Sequence, residues 1–149
     1  MTIRTILLAV GPRGAERIEQ LSEAVVEVAE PAGARVVLGH VFTEEEYDGV
    51  VEQLDFDPGS DYTPDEVASR HSTIRDLGDR LDDARIEFEV RGAVGDHGDR
   101  IVDLAEDVGA DRVIVGGRKR SPTGKAVFGS QAQTVLLNAP CPVTFVRGD

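Results

Sequence analysis

The 149-residue chain has no tryptophan, one cysteine, one methionine and only two lysines. A lone cysteine, Cys141, excludes an intramolecular disulfide and agrees with a reducing compartment. Set between Pro140 and Pro142 with no histidine or acidic residue close in sequence, it reads as a buried structural thiol and not as a nucleophile. Long apolar runs are missing too: none approaches the roughly 20 residues that span a bilayer. The run Ile6–Val10 stops at Gly11-Pro12 without a cleavage-site pattern, so no signal peptide is expected and the cytoplasm is the expected location. Basic residues are scarce, 16 against 28 acidic ones, for a formal charge of −12. Such a surface argues against nucleic acid and anionic membranes as partners. Strong acidity with few lysines and few aromatic residues also suits a protein bathed in salt, and points to a halophilic source.

What is present is a regular alternation. Residues 1–149 are read as one domain of ordinary size, long enough to bury a core. Ile3–Val10 is an apolar run bounded by Gly-Pro, as expected of a central strand buried on both faces. From Ala15 to about Ala32 the apolar residues Ile18, Leu21, Val25 and Val28 recur at helical spacing, with glutamates on the other face. Arg35–Phe42 is a second strand. Thr43 to about Tyr62 is acidic and turn-rich and is read as a long surface loop or flap; its carboxylates match no calcium-loop spacing. Thr63-Pro64-Asp65-Glu66 opens a helix that should run to about Leu81. Arg85–Arg91 alternates strictly, as an edge strand would, and Gly92–Gly98 is read as a turn. A helix over Asp99–Val108, a strand over Arg112–Val115, a helix over Gln131–Leu137 and a strand over Val143–Val146 complete the chain. Strands alternating with helices imply an α/β fold: a parallel sheet with helices on both faces.

The stretch Gly116–Ser130 lies between a buried strand and a helix start. Glycines there allow close backbone approach, and a helix N-terminus offers unpaired N–H groups to an anion. Both lysines, Lys119 and Lys125, fall in it beside Arg118 and Arg120, a positive patch on an acidic chain. The segment is not a Walker A loop, which requires glycine at Lys119 and serine or threonine at Ala126. Gly92, Gly95 and Gly98 do not have the dinucleotide-binding spacing either. His40, His71 and His97 lack metal-ligand spacing, and no nucleophile is paired with a base in sequence.

The loop does resemble the G-x-x-G-x₉-G-[ST] signature of the universal stress protein family, here Gly116, Lys119, Gly129 and Ser130. The likeness extends over the whole chain, through Ile6–Val10, Gly33-Ala34, Gly109-Ala110-Asp111 and the ending Val135–Val143. It implies an open five-stranded parallel sheet ordered 3-2-1-4-5 (Rossmann-like), homodimerisation through the last strand, and in some members ATP in the crevice. On that basis Ala9 and Val41 would line an adenine pocket. Gly116 would lie under the ribose and phosphate, while Gly129, Ser130 and the helix start at Gln131 would hold phosphates. Two positions depart from the pattern. Gly11 stands where ATP binders often carry aspartate, and Lys119 stands at the second signature glycine. Lys119 either bars close backbone approach or puts an ammonium on a phosphate. The resemblance thus implies a regulatory protein binding ATP or another adenine nucleotide in stress response, not a dedicated enzyme. Its alternative is a nucleotide-free interaction module acting through dimerisation and partners.

Like charges repel in the compact state and added ions screen them. The thermal midpoint is therefore expected to rise from dilute buffer to molar KCl, and a flat or falling calorimetric series would contradict the reading of the acidic surface.

Overall fold

A computed structural model describes residues 2–11, 14–53, 62–118 and 130–148. Five strands form one parallel sheet: β1 (Thr5–Val10), β2 (Arg35–Phe42), β3 (Phe88–Val94), β4 (Arg112–Arg118) and β5 (Val143–Gly148), in the order β3-β2-β1-β4-β5. The expected order and the edge position of the third strand are both found. All six residues of β1 are buried, which is why it reads as an unbroken apolar run. On one face α1 (Ile18–Ala32) and α4 (Ser72–Asp83) cover Ile6, Leu8, Val36 and Leu38 with Leu21, Val25, Ile74 and Leu77. On the other, α5 (His97–Val108) and α6 (Ser130–Asn138) cover Leu7, Val37 and Val113 with Ile101, Leu104 and Val135.

Several boundaries differ from the sequence reading, each for a local reason. The acidic stretch after β2 is not all loop: Glu44–Gln53 is a helix, α2. Thr43 and Glu46 start it by a reciprocal capping box, the Thr43 hydroxyl accepting from the Glu46 N–H at 3.1 Å and the Glu46 carboxylate accepting from the Thr43 N–H at 2.8 Å. Residues 54–61 of that stretch lie outside the described residues. The single helix expected over 63–81 is broken by an extended residue, His71, into α3 (Pro64–Arg70) and α4. The Thr63 cap is as read, its hydroxyl accepting from the Glu66 N–H at 3.2 Å.

The edge strand begins three residues later than the alternation suggested. Arg85 adopts φ 59°, and the N–H groups of Arg85 and Ile86 return to the carbonyls of Asp82 and Leu81, so this segment closes α4. The strand also runs on through Gly92 to Val94, because β2 offers a partner as far as Phe42. The helix after it starts at His97, capped by Asp96, whose carboxylate accepts from the Asp99 N–H at 3.1 Å. β4 likewise continues through Gly116 and Gly117 to Arg118, paired with Val146, Arg147 and Gly148. Gly116 is therefore a strand residue and not the first of a loop.

α3 lies directly on the outer edge of the sheet. Gly92 donates its N–H to the Asp65 carboxylate at 2.7 Å, which occupies a donor that an edge strand otherwise leaves open. A Cβ at Gly92 would collide with the backbone carbonyl of Pro64, which no side-chain rotation can relieve. Gly92→Ala is expected to cost about 3 kcal/mol by forcing α3 off the sheet. Urea unfolding checks it, and a loss below about 1 kcal/mol would mean that α3 accommodates the methyl group freely.

Candidate functional site

In an open parallel sheet, ligands bind beyond the carboxyl ends of the strands where the connections diverge. Here that point lies between β1 and β4, since β1 pairs with β2 on one side and β4 on the other. Gly11 follows β1 directly, and the paired register Ala9–Val115 sets Gly116 beside Val10. A Cβ on Gly11 would come 3.2 Å from Nε2 of Gln131, so the carboxamide at the start of α6 occupies the room left by the absent side chain. The equivalent point on Gly116 would meet Arg17 Cδ and Leu21 Cδ2, each at 3.3 Å. Arg17 ends a short 3-10 turn over Gly14–Arg17 and sets its side chain against Gly116 of β4.

The structure thus sets Gly11 and Gly116 at the carboxyl ends of the adjacent strands β1 and β4, with Gln131 against Gly11 on the α6 face and Arg17, which the sequence reading did not single out, against Gly116 on the α1 face. The only sequence signal of Arg17 is a cation in the first helical turn after the central strand. Ala9 and Val41 are 6% and 2% exposed, packed with Leu7, Val37 and Val115 in the core beneath α5 and α6. Lys119 and Gly129 lie outside the described residues, and Ser130 is described only as the first residue of α6.

A second group of polar side chains meets at the carboxyl end of β2, and it contains all three histidines of the chain. His40 of β2 is 5% exposed and stacks on His71 at 4.5 Å, with the Phe42 ring 4.4 Å away. Among the described residues its Nδ1 has no hydrogen-bond partner. His71 stands between α3 and α4 and caps the latter, its Nδ1 accepting from the Thr73 N–H at 3.3 Å. His97 Nε2 lies 2.7 Å from the Glu46 carboxylate. Burial first, and the neighbouring His71 second, push His40 down to about 4, with Glu46 opposing and His97 assisting. Burial also lowers His71. Glu46 is raised by burial, but the Thr43 N–H and His97 outweigh this and hold it below the usual range. In sequence the histidines lack metal-ligand spacing; only the packing of α2, the α3–α4 bend and α5 around the end of β2 brings them together. Among the described residues no cluster of three or more His, Cys, Asp or Glu side chains is placed to hold a metal ion. Nor is any described helix long and apolar enough to cross a membrane.

An open 3-2-1-4-5 parallel sheet with helices on both faces defines a doubly wound α/β protein, a class in which ligands bind where the connections diverge. The chain belongs to the universal stress protein family, whose model matches residues 2–147. A universal stress protein of Mycolicibacterium smegmatis is 34% identical over 80 residues, 53% of this chain and 62% of that relative, which is less than two thirds of its length. A solved universal stress protein in complex with cAMP superimposes with a TM-score of 0.69 at 20% identity, covering 100% of both chains. Another, from Archaeoglobus fulgidus in complex with dAMP, has a TM-score of 0.59 at 23% identity and covers 98% of this chain and 99% of its own. At these identities the structural likeness establishes the fold.

Proposed function

We propose that the chain is a regulatory protein of the stress response that binds an adenine nucleotide beyond the carboxyl ends of β1 and β4. The observation that carries this reading is the pair of glycines, Gly11 and Gly116, at the carboxyl ends of adjacent strands where the connections diverge, the first against the start of α6 and the second against Arg17. A cationic side chain and a helix N-terminus at the ends of two adjacent strands suit a phosphate. The cAMP and dAMP held by the two structural relatives support an adenine nucleotide as the ligand. The Gln131 carboxamide, a neutral donor and acceptor, lies against Gly11, the position at which the family resemblance implies an aspartate in ATP binders. It adds a polar contact without repelling phosphate. In this reading the protein binds nucleotide without a dedicated catalytic apparatus and works in the cytoplasm.

Calorimetry with ATP, ADP and AMP tests the proposal. Ser130→Ala and Gln131→Ala are each expected to weaken binding by about 1 kcal/mol, and Gly129→Val by more, because a branched side chain fills the space of the phosphate. Gly11→Ala should weaken it by displacing the carboxamide, yet add nothing in the Gln131→Ala background. Lys119→Ala weakens binding if the ammonium touches phosphate, whereas Lys119→Gly strengthens it if the side chain obstructs. No heat at millimolar nucleotide would reject the proposal.

The burial of Ala9 and Val41 favours a second reading, an interaction module that needs no nucleotide. In both readings the protein pairs with a second copy through β5. That strand is the sheet edge opposite β3, and Leu137 of the adjacent α6 is 75% exposed. Light scattering at micromolar concentration in high salt should give the mass of a dimer; a monomer would contradict it.

A further inference from the structure

We propose that His40, His71, His97 and Glu46 form a proton-sensitive latch that holds the α3–α4 bend and α2 against the end of β2, and that acidification releases the bend. This does not depend on nucleotide binding. The four side chains come from four places in the fold, namely β2, the bend itself, the first turn of α5 and the first turn of α2.

The bend is stabilised while His71 Nδ1 is an acceptor, because that atom takes the Thr73 N–H and so caps α4. A proton there turns the acceptor into a donor facing a donor, and the cap is lost. His40 lies against it at 4.5 Å with its own Nδ1 unpartnered among the described residues, so a charge on His40 is both desolvated and repelled by a charged His71. The groups that face His40 are His71 from the bend, Glu46 from α2 and His97 from α5. Of these only Glu46 favours a charge on His40, and its carboxylate is already engaged by the Thr43 N–H and by His97.

The 2.7 Å His97–Glu46 contact ties the first turn of α5 to the first turn of α2 beside His40. His40 is held at about 4 and His71 below its ordinary value. The closed state is thus fully favoured above the ordinary histidine value near 6.5 and loses ground progressively as pH falls from there to about 4. The consequence is local and specific. α3 is the element that covers the β3 edge through Asp65 and Gly92, so release of the bend uncovers a sheet edge. His40 is also the cross-strand partner of Val10, which ends β1 at the crevice.

Amide hydrogen exchange near pH 7.5 and near pH 5, expressed as protection factors, tests the latch. If opening frees His40 to titrate normally, protection of the Thr73 and Ile74 amides should fall roughly thirtyfold over that interval, while the Leu104 and Ala105 amides of α5 hold steady. His71→Asn keeps a capping side chain that does not titrate, and His40→Phe keeps a ring that carries no charge. Each variant should reduce the pH dependence, and the double variant should abolish it. Should His40→Phe fail to fold, His71→Asn decides alone. Unchanged protection in the unmutated protein, or the same ratio with and without the substitutions, would overturn the proposal.

Discussion

The structure depends on the burial of β1 between two parallel partners. Every residue from Thr5 to Val10 is covered, so the strand has no wet face and its backbone groups are committed to β2 and β4. A parallel strand is reached only through a crossover, and crossovers of one hand must leave over opposite faces when the next strands lie on opposite sides. The crevice is what remains where they part. Its location is thus a consequence of the central strand, independent of the side chains that later line it. At the opposite end Asp111 ties β1 and β4 together, its carboxylate accepting from the N–H groups of Arg4 and Thr5 at 2.9 and 3.1 Å.

The position of α6 over that crevice is fixed by a close approach some distance from it. A Cβ on Gly98, in the first turn of α5, would come 2.7 Å from Thr134 Cβ, so the two helices touch there because no side chain intervenes. A bulkier residue would lever α6 away and with it Gln131, whose carboxamide now lies over Gly11. The same economy recurs on the sheet, where a Cβ at Gly39 would meet Leu7 Cδ1 at 2.9 Å and Leu104 Cδ1 at 3.3 Å. Packing at interior density transmits such displacements. The geometry of the site therefore rests on glycines well outside it.

The fold was largely legible because its strongest signal, apolar runs separated by amphipathic helices, is local. Thr63-Pro64 announced a capped helix start, and Gly109-Ala110-Asp111 marked the entry to β4. The misplaced boundaries are those decided by tertiary partners. β3 slid toward its carboxyl end because β2 offered a longer edge, and the helix after Thr63 broke because His71 both caps α4 and stacks on a residue of β2. The Thr43–Glu46 capping box was visible in the letters but was masked by the acidity around it. Of the residues at the candidate site, Gly11, Gly116 and Gln131 could be named from motif and topology. Arg17 and the histidine group were not, because proximity across elements leaves no trace in spacing along one.

The central claim is that the carboxyl ends of β1 and β4 form the ligand site. A two-dimensional ¹⁵N NMR titration with AMP addresses it directly. The account predicts that the amides of Gly11, Gly116, Gly117 and Gln131 shift and saturate together, while Gly33 and Asp111 at the amino ends of the strands stay in place. Shifts confined to the amino ends, or none at millimolar AMP, would contradict it.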